Sequence, residues 1–170
     1  MGQKPFSGDP YEVKIQLAAD PRKGVWAANT LIKQGRTIRT AGQAPTSASA
    51  HTLLVIALTS ALQDIGWSQA QTLARANHVV KPRVQVLTAD ATFASAMQRI
   101  PATIAALRAG KNFVGELRRQ LDRFTIRVQH VEAREVELLK GWAQRKVMDR
   151  REIGRIPVIF APTAVSQLMP

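Results

Sequence analysis

The 170-residue sequence predicts an α/β domain with a mixed five-stranded sheet, in which three antiparallel strands are followed by parallel strands and helices flank the sheet. Three strand patterns separated by turn residues over residues 11–41 predict a β-meander. The apolar spacing then changes to three and four residues, as in an amphipathic helix. Beyond that helix, strand and helix patterns follow one another, which indicates βαβ units with parallel strands.

The three N-terminal strands are separated by turn residues. Residues 11–18 alternate in polarity and are followed by a turn, Asp20-Pro21-Arg22-Lys23-Gly24. Residues 25–33 and 36–41 predict the second and third strands, which join at Gln34-Gly35. Because the connections are short, the three strands are expected to be antiparallel neighbours.

The strongest helical pattern in the chain follows Ala44-Pro45. The hydroxyl side chains that can cap its N-terminus are Thr46, Ser47 and Ser49. Apolar residues then recur at helical spacing, namely Leu54, Ala57, Leu58, Ala61, Leu62 and Ile65. Gly66 is expected to end this helix, and residues 67–77 predict a second, shorter one.

The second half of the chain alternates between strand and helix patterns. Residues 83–89 predict a short strand that ends at Asp90, where a helical pattern begins. Residues 112–123 predict another helix, residues 124–131 a strand and residues 133–150 the last helix. These boundaries predict an N-terminal arm, one domain and an apolar C-terminal extension, at residues 1–10, 11–150 and 151–170.

The composition excludes several classes of protein. The chain has no cysteine, which excludes disulfides, thiol nucleophiles and cysteine zinc sites. It has neither a long apolar run nor an apolar N-terminal core, so we expect a cytoplasmic protein without a membrane span. Sequence patterns for phosphate-binding loops, metalloproteases and serine hydrolases are also missing.

The charge of the chain is strongly positive and suggests a polyanion as partner. The chain carries 24 Lys and Arg against 12 Asp and Glu, a net charge of +12, and 45% of its residues are hydrophobic. The positive charge therefore belongs to a folded domain, and in residues 91–170 arginine accounts for 11 of the 14 basic residues. Guanidinium groups bind phosphate oxygens in pairs, which favours nucleic acid. The alternative interpretation is that these arginines only solvate helix faces.

The order of elements, together with local patterns, resembles the ribonuclease H family over residues 11–150. The similar segments are Leu53 to Leu62 on the long helix, Val84 to Phe93 at the fourth strand, and Asn112 to Val131 through the last helix–strand pair. The resemblance implies an α/β fold that binds nucleic acid. In that family, carboxylates bind two Mg²⁺ ions, which activate water and stabilise the leaving oxygen during phosphodiester hydrolysis.

The resemblance also implies four carboxylate positions, which this chain fills only in part. The first falls at Ala18, with Asp20 two residues later, and the second at His51, although Mg²⁺ prefers oxygen ligands. The third and fourth fall at Asp90 and Glu137. The glycine-rich turn and the Gly-His loop of the family are absent from the sequence.

Each acidic residue also has a structural interpretation. Asp90 is placed to cap a helix, and Asp20 precedes a proline and is a turn former. Acidic residues near the start of the last helix complement the helix dipole, and they are Glu132, Glu135 and Glu137. Trp26 and Trp142 are expected in the core rather than as platforms for bases.

We therefore expect a catalytically degenerate ribonuclease H-like protein that binds DNA, RNA or a hybrid and needs no cofactor. The phosphate-binding candidates are Arg118, Arg119, Arg123, Arg127 and Arg134. One alternative is a Mg²⁺-dependent nuclease that uses Asp20, Asp90 and Glu137, with Asp90 as the candidate metal ligand. Another is an assembly module that docks on a partner or a second copy through residues 156–170.

Overall fold

The structure is a computed structural model that describes residues 11–33, 35, 37–44, 49–98 and 117–152, with side chains as far as residue 147. Its centre is a five-stranded sheet in the order β3-β2-β1-β4-β5. The strands are β1 (Val13–Asp20), β2 (Val25–Ile32), β3 (Thr37–Gln43), β4 (Arg83–Thr88) and β5 (Thr125–His130). β1, β2 and β3 pair antiparallel, whereas β4 pairs parallel with both β1 and β5.

The helices lie on both faces of the sheet. They are α1 (Ala50–Ala76), α2 (Ala91–Met97) and α3 (Arg134–Glu152), and residues 117–121 are also helical. Gly66 interrupts α1 with φ 78° and ψ 161°, a backbone conformation that glycine adopts without the penalty of a side chain. The prediction that one helix ends at Gly66 and another follows it is therefore confirmed.

Two hydrophobic clusters hold these layers together. The larger cluster packs α1 and α2 against one face of the sheet and includes Trp26, Leu58 and Phe93. The smaller one packs α3 against the other face and includes Ala18, Ala27 and Leu139. Because β-strand side chains alternate between faces, odd-numbered residues of β1 point to α1 and even-numbered ones to the α3 side.

The predicted fold class is confirmed, with one change at the first strand. β1 extends to Asp20, which pairs with Val25, so the strand is longer than the sequence pattern indicated. Asp20 therefore shares a face with Ala18. Among the described residues, no helix combines the length and the apolar character that a membrane span requires.

An ion pair connects Glu12, the residue before β1, with Arg83, the first residue of β4. The side chain of Glu12 is fully buried and accepts hydrogen bonds from the Arg83 backbone N–H at 2.9 Å and from the Arg83 guanidinium at 3.0 and 2.6 Å. Burial raises the pKa of Glu12, but the hydrogen bonds and charge of Arg83 outweigh it, so the pKa lies below its ordinary value. Glu12 is therefore a carboxylate at neutral pH, and Arg83 compensates its charge.

Candidate functional site

A cleft opens where the carboxyl ends of β1 and β4 meet the N-terminal turns of α1 and α3. It has a volume of about 400 Å³. Its floor is formed by the ends of the two parallel strands, which is where ligands bind in many α/β sheets. Its lining includes Ala18, Thr88, Asp90, Ala133, Glu137 and Lys140. The cleft thus brings together three of the positions that the sequence analysis compared.

Asp90 both lines the cleft and caps a helix. Its carboxylate accepts a hydrogen bond from the Phe93 backbone N–H at 2.8 Å, and its own N–H donates to the Thr88 hydroxyl at 3.1 Å. This is the N-cap geometry that the structural interpretation predicts. His51 Nε2 lies 3.8 Å from the same carboxylate oxygen, and the His51 ring contacts Phe93 edge to face. One oxygen of Asp90 is therefore already engaged.

Asp20 makes contacts on α3 and in the turn. Its carboxylate accepts a hydrogen bond from the Gln144 side chain at 2.7 Å and another from the Arg22 backbone N–H at 3.1 Å. The second contact is the one expected of an aspartate that forms a turn. Both carboxylate oxygens are therefore engaged in holding β1 to its turn and to α3.

Of the four carboxylate positions that the sequence resemblance implies, two hold a carboxylate that lines the cleft. Ala18 is buried where the first carboxylate was expected, and His51 lies where the second was expected. Asp90 and Glu137 supply the third and fourth. Lys140 stands one turn beyond Glu137 on α3 and adds a cation to the same lining.

Comparison with known proteins identifies the architecture. No protein-family profile and no curated protein sequence matches this chain. Among solved structures, LC11-RNase H1 in complex with an RNA/DNA hybrid is similar, with a TM-score of 0.56 and 14% identity over 80% of this chain and 99% of that one. The N-terminal RNase H domain of a Mycobacterium tuberculosis protein, solved as a fusion with maltose-binding protein, gives a TM-score of 0.51 and 11% identity over 84% and 99%. The chain has a ribonuclease H-like fold.

The two Mg²⁺ ions that a ribonuclease H-like fold implies do not fit the residues of this cleft. Within the described ranges, no cluster of three or more His, Asp or Glu side chains could hold a metal ion. Asp90 uses one oxygen to cap α2, and Asp20 is bonded to Gln144 and to the turn. Hard cations need several oxygen ligands, and Lys140 adds a positive charge to the lining of the same cleft.

The five arginine candidates lie in three separate places on the ribonuclease H-like domain. Arg118, Arg119 and Arg123 lie just before β5, at the opposite end of the sheet from the cleft. The Arg123 guanidinium lies over the ring of Trp67 at 5.2 Å from its centroid. Arg127 is exposed in the middle of β5, and Arg134 begins α3 and pairs with Glu132 at 2.8 Å. The sequence grouping therefore does not correspond to one patch.

Two cations that the sequence did not group with Arg127 lie on the same face of the sheet, Lys14 in its row and Arg39 in the neighbouring row. Lys14 on β1 and Arg39 on β3 project from the same face of the sheet as Arg127. The alternating pattern of each strand gives the face of its residues, but only the strand order shows that these three share one. Trp142, predicted in the core, is half-buried beside the smaller cluster, and Arg39 and Lys146 lie over its ring. Trp26 is fully buried, as predicted.

Proposed function

We propose that this protein binds nucleic acid on a ribonuclease H-like scaffold without cutting it. The observation that carries the proposal is that only two of the four compared positions, Asp90 and Glu137, place a carboxylate in the cleft, whereas Ala18 and His51 occupy the other two. A net charge of +12 on the chain, together with a cleft in which two of the four compared positions lack a carboxylate, favours retention of a polyanion over its hydrolysis.

Phosphate contacts are assigned to exposed cations. Arg118, Arg119, Arg127 and Arg134 are exposed, and Arg123 is half-buried on Trp67. Similar solved proteins include one bound to an RNA/DNA hybrid, which supports a nucleic acid as the ligand class. Contacts of this kind hold the backbone of the ligand and do not read its sequence.

The proposal predicts a steep dependence of affinity on salt. Each phosphate that a cation neutralises releases counterions, so five contacts give a slope of about −4 for the logarithm of the binding constant against the logarithm of salt concentration. The measurement is fluorescence anisotropy of labelled single strands, duplexes and RNA–DNA hybrids across a salt series in EDTA. A flat slope, or no binding at low salt, would contradict the proposal.

Two alternative functions remain to be tested. A Mg²⁺-dependent nuclease that uses Asp20, Asp90 and Glu137 has one observation in its favour, since Asp90 and Glu137 line the same cleft. Incubation of a labelled RNA–DNA hybrid with the protein and Mg²⁺ or Mn²⁺ decides that alternative. Assembly through residues 156–170 concerns a segment outside the described residues, and light scattering with and without that segment addresses it.

A further inference from the structure

Two exposed hydrophobic side chains share one pocket at the opposite end of the sheet from the cleft. Among the described residues, the exposed large hydrophobic side chains are Trp67, Val80 and Leu138, with exposed fractions of 54%, 95% and 87%. Trp67 and Val80 line a pocket of about 340 Å³ between the second half of α1, residues 79–82 and residues 122–123, which we call the Trp67 pocket. A single exposed apolar side chain is ordinary, whereas two in one concave site indicate a ligand.

The loop that forms one wall of the Trp67 pocket is fixed at the end of α1. The N–H of Val79 donates to the Ala74 carbonyl at 3.0 Å, and the N–H of His78 donates to the Arg75 carbonyl at 3.3 Å. His78 has a φ of 55°. These two hydrogen bonds and the left-handed residue between them form a Schellman motif, which ends a helix in a defined conformation. Val80 therefore projects into solvent from a backbone that is held in place.

The second wall of the Trp67 pocket is connected to the first. The N–H of Thr125 donates to the Pro82 carbonyl at 2.9 Å, which joins the loop to the start of β5. The N–H of Arg123 donates to the Gln120 carbonyl at 2.9 Å in the turn before that strand. The Arg123 guanidinium lies over the Trp67 ring, 5.2 Å from its centroid. Because these contacts exist without a ligand, binding in the pocket costs little conformational entropy.

The Trp67 ring is accessible as a stacking platform. More than half of the side chain, 54%, is exposed although Arg123 lies over the ring. Aromatic rings in sites for single-stranded nucleic acid stack with bases of any identity, because every base has a π-face. In a duplex, the faces of the bases are already stacked on their neighbours. The ring therefore favours a base that is unpaired and unstacked.

Polar groups around the ring match the other parts of a nucleotide. Arg75 and Lys81 are exposed and line the pocket, and their charges suit the phosphates on either side of a base. Asp122 lines the pocket as well, and a carboxylate accepts hydrogen bonds from the amino groups at base edges. The described lining thus combines an aromatic ring, an acceptor and cations, whereas an apolar ligand would use the ring alone.

We propose that the Trp67 pocket binds one unpaired nucleotide of a nucleic acid, with the base stacked on Trp67 and the flanking phosphates held by Arg75 and Lys81. The inference rests on the proposed function and adds to it a place on the domain and the unpaired state of the bound nucleotide. Of the five arginine candidates it uses Arg123 alone, as the support of the ring.

The first test removes the ring from the protein and the bases from the ligand. The probes are a labelled strand of about 8 thymidine nucleotides and the same strand with abasic sites, which keeps the phosphates. Trp67→Ala should raise the Kd for the thymidine strand about 5- to 150-fold and leave the salt slope unchanged, since stacking is not a charge contact. The abasic strand should bind wild type and Trp67→Ala equally. The control Leu138→Ala truncates another exposed side chain and should change neither affinity.

The second test removes the phosphate contacts. Arg75→Gln with Lys81→Gln should reduce the salt slope by about 1.4 on both strands, since each contact contributes about 0.7 on single strands. The control with the same loss of charge is Arg22→Gln with Lys23→Gln, at exposed positions in the turn after β1, and it should change the slope little. Trp67→Phe keeps an aromatic ring and should retain most of the affinity, which separates loss of stacking from loss of the fold.

The outcomes separate a failure of the pocket from a failure of the proposed function. If the wild type binds neither single strands nor duplexes, the proposed function is wrong. If it binds duplexes alone, or if Trp67→Ala and Leu138→Ala behave alike, the pocket assignment is wrong and the proposed function stands. An equal loss of affinity on the thymidine and abasic strands would contradict stacking on Trp67. Displacement of the strand by polyglutamate at equal charge would make the pocket a site for acidic proteins.

Discussion

Ala18→Asp combined with His51→Glu is expected to turn the cleft into a divalent-cation site. The two substitutions add carboxylates beside Asp90 and Glu137, which already line the cleft. Four carboxylates close together repel one another, and a cation that binds between them relieves this repulsion. The double variant should therefore be less stable than the wild type in EDTA. At a Mn²⁺ concentration of about 100 times the Kd, its melting temperature should rise by about 5–10 °C.

The matched control for this variant is Ala18→Asn with His51→Gln, which has nearly the same shape and no added charge. It should show no Mn²⁺-dependent rise in melting temperature. His51 lies in the first turn of α1, where a negative charge complements the helix dipole, so the change there is not expected to break the helix. If wild type and double variant respond equally to Mn²⁺, the degenerate interpretation of Ala18 and His51 is wrong.

Gly42→Ala is expected to destabilise the fold by about 1–3 kcal/mol, which is the usual cost of overpacking a core. Gly42 pairs with Trp26 across β2 and β3, and the indole ring of Trp26 covers the glycine. A Cβ atom at Gly42 would lie 2.5 Å from Cζ2 of that ring, and the ring is fully buried. Because a rigid ring in a packed core has little room to move, either the ring or β3 must shift.

The same substitution at Gly141 should have the opposite effect on the free energy of unfolding. Gly141 lies inside α3, and a Cβ there would meet only the end of the Arg145 side chain, at 3.4 Å. Gly141→Ala should stabilise the protein by about 0.5–1 kcal/mol through helix propensity. Urea unfolding of the two variants measures both effects. Equal destabilisation by the two would show that the contact with Trp26 does not determine the cost at Gly42.

Much of the fold could be predicted because the strands and helices follow from patterns within single segments of the sequence. Local strand patterns predicted the strands. Gly66 predicted the break in α1, because glycine adopts a positive φ at a lower energetic cost than any other residue type. The end of β1 could not be predicted, since Asp20 continues the pairing into a turn-forming sequence. Its contact with Gln144, which is distant in sequence, had no local signal at all.

The candidate site was predictable only where residues of one segment decide it. Asp90 was identified as a strand-to-helix residue, and the structure places it in the cleft as a helix cap. The arginines looked like one group because they are close in sequence, yet β5 and its flanking turns distribute them over three places. Lys14 and Arg39 share a face of the sheet with Arg127 through the pairing of strands that are distant in sequence, and no periodicity within one strand reveals that.

The most direct test of the proposed function is the fate of a labelled RNA–DNA hybrid incubated with the wild-type protein and Mg²⁺ or Mn²⁺. We predict that the hybrid is bound, with an affinity that falls steeply with salt, and is recovered intact. The contrary result is cleavage by the wild type that Asp90→Asn abolishes, because the cleft would then hold a working metal site despite Ala18 and His51.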